Sequence, residues 1–122
     1  MSIRYSVVLP AYNEEAGLRS VIEGVFNALR PLGRPFEVIV VDDGSRDGTW
    51  TLIRTMCGDA PELRGLRFSR NFGHQLAVHA GVKAASGDYV AIMDSDGQDP
   101  PELLPEVFAL LESGHDVVNC VR

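Results

Sequence analysis

Two periods of hydrophobicity alternate along the chain. Apolar residues come either in short continuous runs or at helical spacing. Ile3–Leu9 is the first run, and Ser6-Val7-Val8-Leu9 predicts a strand buried on both faces. Glu14–Arg30 follows as a helix, with Leu18, Val21, Ile22, Val25 and Leu29 on one side, and Pro31, Gly33 and Pro35 punctuate its end. Phe36–Val41 is a second strand, rich in β-branched residues, and Asp42-Asp43-Gly44-Ser45 turns out of it. Thr49–Cys57 reads as a helix packing Leu52, Ile53 and Met56.

Leu63–Ser69 is a weaker third strand. Gly73–Ala85 is a helix whose inner side is small (Ala77, Ala80, Gly81, Ala84), which lets it lie close to a sheet, and Gly87 has the position of a C′ glycine. Asp88–Met93 is a fourth strand and Asp94–Pro100 a loop. Pro101–Ser113 is a helix burying Leu104, Val107, Phe108 and Leu111. Asp99 and Glu102 have capping-box spacing, with Pro105 loosening that turn. Asp116–Val121 is the last strand.

The order is βαβαβαβαβ. Near-continuous apolar strands between amphipathic helices predict an α/β fold, a mostly parallel sheet with helices on both faces. Right-handed crossovers make it Rossmann-like and doubly wound. No linker or repeat divides the chain, so residues 1–122 form a single domain.

Composition narrows the partners. The 122 residues include 11 Lys and Arg against 17 Asp and Glu, a net charge of −6. That argues against a broad nucleic-acid surface. No apolar run approaches the ~18–20 residues of a membrane span, so no transmembrane segment is expected. The first residues lack the pattern of a secretory signal, which makes a reducing cytoplasm the default. Cys57 and Cys120 have neither disulfide-framework nor metal spacing and read as ordinary thiols.

In an open α/β sheet, ligands bind beyond the carboxyl ends of the strands. The polar residues follow that rule. Glu14, Asp42, Asp43, Asp94, Asp96 and Asp99 all lie at predicted strand tips. Two carboxylates ~4 Å apart repel by about 4 kcal/mol at an effective dielectric of ~20. Such a cluster calls for a cation or for protonation of some members.

Asp94-Ser95-Asp96 is the sharpest motif, because alternate residues leaving a strand point the same way. Asp94 and Asp96 could grip one Mg²⁺ or Mn²⁺, with Gln98 as a further oxygen and a diphosphate completing the shell. A turn with helix-capping aspartates explains the same residues. Asp42 and Asp43 could accept hydrogen bonds from a base or ribose, or belong to a strand-to-helix turn capped by Asp47 or Thr49. Pro10-Ala11-Tyr12-Asn13-Glu14 could set a ring and a carboxylate against a nucleobase, or start a helix with Asn13 as cap. Arg70 could meet phosphate, or lie on the surface with Asn71 as cap. His74, His79 and His115 lack ligand spacing and read as non-catalytic, and Trp50 reads as packing. No Gly-x-Ser-x-Gly elbow, P-loop or dinucleotide fingerprint is present.

Taken together, Val7–Glu15, Val40–Thr49 and Asp94–Glu102 resemble the family 2 glycosyltransferases, which have the GT-A fold. Asp94-Ser95-Asp96-Gly97-Gln98-Asp99-Pro100-Pro101-Glu102, with Arg70-Asn71-Phe72-Gly73 upstream, is similar to the branch that glycosylates polyprenyl phosphates, including dolichyl-phosphate mannose synthase. The resemblance implies a nucleotide diphosphate-sugar donor bordered by Pro10, Tyr12 and Glu14. It implies Asp42 or Asp43 on the base, and Asp94, Asp96 and Gln98 on the metal beneath the diphosphate. It implies one inverting displacement in which Asp94 and Asp96 are catalytic through that metal. An anionic polyprenyl-phosphate acceptor needs no general base. Another glycan acceptor is the alternative, and the setting is the cytoplasmic face of a membrane, peripherally.

Family catalytic domains are longer than this chain. It therefore reads as the donor-binding part, truncated before the acceptor-binding part. Completion by another chain, or self-association through a cut sheet, is the corresponding expectation. On the residues alone, a different metal-dependent nucleotide or phosphotransfer domain, or a non-catalytic interaction module, remains open.

Overall fold

The computed structural model describes residues 2–114. Its elements, in chain order, are β1 (Tyr5–Ala11), α1 (Leu18–Leu29), β2 (Phe36–Asp42), α2 (Thr49–Asp59), β3 (Leu63–Arg67), α3 (His74–Ala84), β4 (Tyr89–Ile92) and α4 (Leu104–Glu112). Short 3₁₀ turns follow α1 at Arg30–Leu32 and precede α4 at Pro101–Leu103. The expected last strand at Asp116–Val121, with His115 and Cys120, lies outside the described residues.

The strands form one parallel sheet in the order β3-β2-β1-β4. β1 is central: Tyr5 pairs with Phe36 on one side and Tyr89 on the other. Buried on both faces, it needs apolar side chains throughout, and Val7, Val8 and Leu9 have no solvent exposure. Its odd-numbered residues, with Val38 and Val40 of β2, pack against α1, α2 and α4. Phe108 of α4 stacks on Tyr5, with ring centroids 4.3 Å apart.

The opposite face carries α3, as its small inner side predicts. Ala77 and Gly81 are buried against the sheet beside Ile39 and Val41, while Ala80 and Ala84 are half-buried. A Cβ on Gly81 would sit 2.3 Å from Val8 Cγ1, so any larger residue would lift the helix. This face also buries Glu37. Ser6 Oγ and Ser86 N each donate to its carboxylate at 2.7 Å, and Arg64 does so at 2.8 Å. Burial alone would push the carboxyl up. Hydrogen bonds from Ser86, Ser6 and Arg64 outweigh it and hold the group at about 2.

Three local expectations change. α1 starts at Leu18 rather than Glu14, and Asn13 does not cap it. Asn13 instead takes a left-handed conformation, φ 54°, and is held by a distant loop. Gly87 is not a C′ residue. Its N–H donates to Ser6 Oγ at 2.9 Å, in a contact too close for a side chain. Asp99 does not cap the last helix: Pro100 precedes the 3₁₀ turn and Leu103 precedes α4, both without a side-chain cap bond, and Asp99 Oδ2 accepts the N–H of Asp94 at 2.9 Å. Among the described residues, no helix is long and apolar enough to cross a membrane.

Candidate nucleotide-binding site

A cavity of about 430 Å³ opens at the carboxyl ends of β1, β2 and β4. β1 delivers Pro10, Ala11, Tyr12 and Glu14 to its wall, and β2 delivers Asp43. The chain after β4 delivers Asp94, Ser95 and Asp96. Asn71, Gly73, His74 and Ala77, from the β3–α3 loop and α3, close the remaining side.

Long-range hydrogen bonds shape the β1 tip. Asn13 N–H donates to Ser45 Oγ at 2.8 Å, and Asn13 Oδ1 accepts the N–H of Arg46 at 2.8 Å. Glu14 N–H donates to Thr49 Oγ1 at 2.9 Å. These bonds divert the chain before it can enter the helix. The side chain of Glu14 borders the cavity, and its carboxyl is pushed up by burial first, then by the charges of Asp96 and Asp47.

The two aspartates after β2 have different roles. Asp42 is fully buried, and its Oδ1 accepts the N–H of Ser45 at 3.0 Å. Its Oδ2 has no hydrogen-bond partner among the described residues and lies 3.9 Å from Arg67 Nε. Asp42 therefore sits behind the cavity rather than in its wall. Asp43 lines the cavity while its carboxylate accepts Phe72 N at 2.8 Å, Gly73 N at 3.1 Å and Asn71 Nδ2 at 3.2 Å. Gly44 completes the turn at φ +71°, with a Cβ position only 2.2 Å from the carbonyl carbon of Arg70. Only glycine fits between the two loops. Gly48, and neither Asp47 nor Thr49, stands at the cap of α2, while Asp47 Oδ1 accepts the N–H of Thr49 at 3.0 Å from one residue further out.

The alternation of Asp94-Ser95-Asp96 is present. Ser95 is buried and its hydroxyl donates to the Pro10 carbonyl at 2.8 Å, pinning this loop to β1. Asp94 and Asp96 both face the cavity. Asp96 Oδ1 also accepts the N–H of Gln98 at 3.0 Å.

Of the residues singled out from the sequence, Pro10, Tyr12, Glu14, Asp43, Asp94 and Asp96 meet in this wall. Asp42, Arg70 and Gln98 do not line it. Arg70 lies over the Phe72 ring, 5.0 Å from its centroid. His74, set aside on spacing, does line it, and its Nε2 is 4.0 Å from Asp94 Oδ1. The one signal for His74 was its position directly after the Arg70–Gly73 loop.

Chemically, the wall presents the carboxylates of Glu14, Asp43, Asp94 and Asp96 and the imidazole of His74, with no Lys or Arg among the described residues. A phosphorylated ligand entering it needs a cation as intermediary. Asp94 and Asp96 suit a hard dication in residue type and position. Among the described residues, no three His, Cys, Asp or Glu side chains converge into a self-sufficient metal centre. Ligand and water oxygens would have to complete the coordination.

The pattern of the family described as Glycosyl transferase family 2 matches residues 6–122. An undecaprenyl-phosphate 4-deoxy-4-formamido-L-arabinose transferase from Aeromonas hydrophila is 42% identical over 118 residues, covering 96% of this chain and 36% of the relative. An uncharacterized glycosyltransferase, YkcC, from Bacillus subtilis is 37% identical, covering 98% of this chain and 37% of the relative. The chain thus spans about a third of the length of these curated relatives. Among solved structures, the mannosyltransferase PcManGT from Pyrobaculum calidifontis, in complex with GDP-Man and Mn²⁺, superposes with a TM-score of 0.80 at 25% identity, covering 100% of this chain and 36% of that one. Staphylococcus aureus TarS 1-349 with UDP-GlcNAc gives 0.76 at 27% identity, covering 91% of this chain and 32% of that one. With the family pattern running from β1 to the end of the chain and the acidic strand tips meeting in one cavity, the chain belongs to glycosyl transferase family 2.

Proposed function

We propose that this chain is the donor-binding part of a glycosyltransferase that moves a sugar from a nucleoside diphosphate to a polyprenyl phosphate. The observation that carries the reading is the convergence of Pro10, Tyr12, Glu14, Asp43, Asp94 and Asp96 on one cavity. The names of the relatives favour the polyprenyl-phosphate acceptor, and the GDP-Man and UDP-GlcNAc complexes favour a nucleotide-sugar donor.

In this reading Tyr12, 41% exposed at the rim, offers a ring face to the base or ribose. Glu14 offers an acceptor to donor hydroxyls, and Asp43 fixes the loop that forms the opposite wall. Asp42 acts through the Asp42–Ser45 turn, and Arg70 and Gln98, outside the wall, have no direct part in it. Asp94 and Asp96 would hold a dication, Mg²⁺ or Mn²⁺, which neutralises the departing diphosphate as a Lewis acid. The Mn²⁺ that accompanies GDP-Man in the PcManGT complex favours a dication beside the donor. Ser95 keeps both carboxylates aimed into the cavity by holding Pro10. The displacement inverts the anomeric centre, and the acceptor phosphate, anionic at neutral pH, serves as nucleophile without a protein base.

A thermal-shift panel tests the reading. UDP, GDP and CDP are each added with and without Mn²⁺. One diphosphate with Mn²⁺ raises the Tm by several degrees, more than either component alone. No shift with any pair contradicts the proposal and favours a module without donor chemistry.

A further inference from the structure

His74 opens α3 and stands in the cavity wall, across from the β4 tip. Its side chain is 63% exposed. The Nε2–Asp94 Oδ1 separation of 4.0 Å exceeds a hydrogen bond, and among the described residues the ring makes none. Other donors around the wall are already committed. Asn71 Nδ2 donates to Asp43, the Ser95 hydroxyl donates to Pro10, and the N–H groups of Phe72 and Gly73 donate to Asp43. Tyr12 keeps a free hydroxyl, but it extends from the β1 side at the rim. Among the described residues, the imidazole is thus the one uncommitted nitrogen donor on a side chain of this wall, and Asp94 is the member of the acidic pair beside it.

We propose that His74 donates a ring N–H to the diphosphate of the donor and so discriminates a nucleoside diphosphate from a monophosphate. The inference rests on the donor-binding reading above. The charged groups of the wall are otherwise carboxylates, which repel phosphate oxygens, and Asp94 and Asp96 would hold a dication that offsets this repulsion. A ring beside Asp94 supplies a directional contact. A hydrogen bond to a charged oxygen is the stronger kind, and its loss is read directly in affinity. α3 holds the ring in place: Gly81 and Ala77 seat the helix on β1 and β2, so the first turn cannot shift without lifting it.

The test is calorimetry on this chain with Mn²⁺, using the pairs UDP with UMP and GDP with GMP. Wild type binds one diphosphate more tightly than its monophosphate. His74→Ala shrinks that ratio about tenfold and leaves the monophosphate Kd unchanged. His74→Gln, which keeps a donor, restores most of the ratio. Urea melts identify any variant that loses the fold, and the Gln variant then carries the comparison. An unchanged ratio in a folded His74→Ala variant overturns the proposal. Equal weakening of mono- and diphosphate also overturns it, since that marks a packing role or a contact with the phosphate the two nucleotides share. If neither nucleotide binds wild type in the presence of Mn²⁺, the donor-binding reading itself fails, and this inference with it.

Discussion

The carboxylate of Asp43 accepts the backbone N–H of Phe72 at 2.8 Å across 29 residues of sequence. It binds the N–H of Gly73 as well, so one side chain at the end of β2 fixes the loop that begins α3. A residue that reads as a ligand for a base thereby also builds the wall it lines. Asp43→Ala removes the acceptor and leaves partly buried N–H groups without a partner. It lowers stability by about 3 kcal/mol in urea melts and speeds hydrogen exchange at the Phe72 and Gly73 amides. Protection at those amides equal to wild type would contradict this role. Asp43→Asn retains one acceptor and loses less.

Gly44 gives a sharper test of the same contact. An added Cβ meets the Arg70 backbone at 2.2 Å and the residue stands at φ +71°. Gly33 has a similar φ, +67°, with nothing within 4 Å. Gly33→Ala therefore reports the conformational cost alone, about 1 kcal/mol. Gly44→Ala adds the clash and costs at least about 2 kcal/mol more. Equal losses for the two variants would show that the loops are not in contact.

Acid titration reads the Glu37 network. Its carboxyl falls from the ordinary 4.5 to about 2 in the folded chain. A lowered folded value means the stabilisation is complete above the unfolded value and disappears as the pH drops from about 4.5 towards 2. The full effect is about 3 kcal/mol. Glu37→Gln flattens the stability profile in that interval, and a profile with the wild-type slope would remove Glu37 from the account.

The sequence carries the architecture because burial is periodic. Val7–Leu9 and Val38–Val41 have no polar face, so the parallel sheet and the strand-end site follow from the run lengths alone. The strand tips are another matter. Asn13 and Glu14 have the local chemistry of a helix start, yet Ser45, Arg46 and Thr49, more than 30 residues away, capture their backbone and side-chain groups. Position in a fold likewise separates Asp42 from Asp43, neighbours of identical chemistry, one sealed behind the cavity and one in its wall. Helical spacing could not place His74, because the docking of α3 through Gly81 sets which side of the first turn meets the β4 tip. Arg70 had a surface alternative from the start, and the Phe72 ring is where its guanidinium rests.

Whether Asp94 and Asp96 bind a donor diphosphate through a dication is read by calorimetry of nucleoside diphosphate binding. UDP and GDP are titrated into wild type, Asp94→Asn and Asp96→Asn, each with Mn²⁺ and with EDTA. For the diphosphate that binds, affinity in Mn²⁺ exceeds that in EDTA by at least about tenfold in wild type, and the gain disappears in both variants. Binding of equal strength in Mn²⁺ and EDTA, or a gain that survives both substitutions, would show that the two aspartates do not bind diphosphate through a metal.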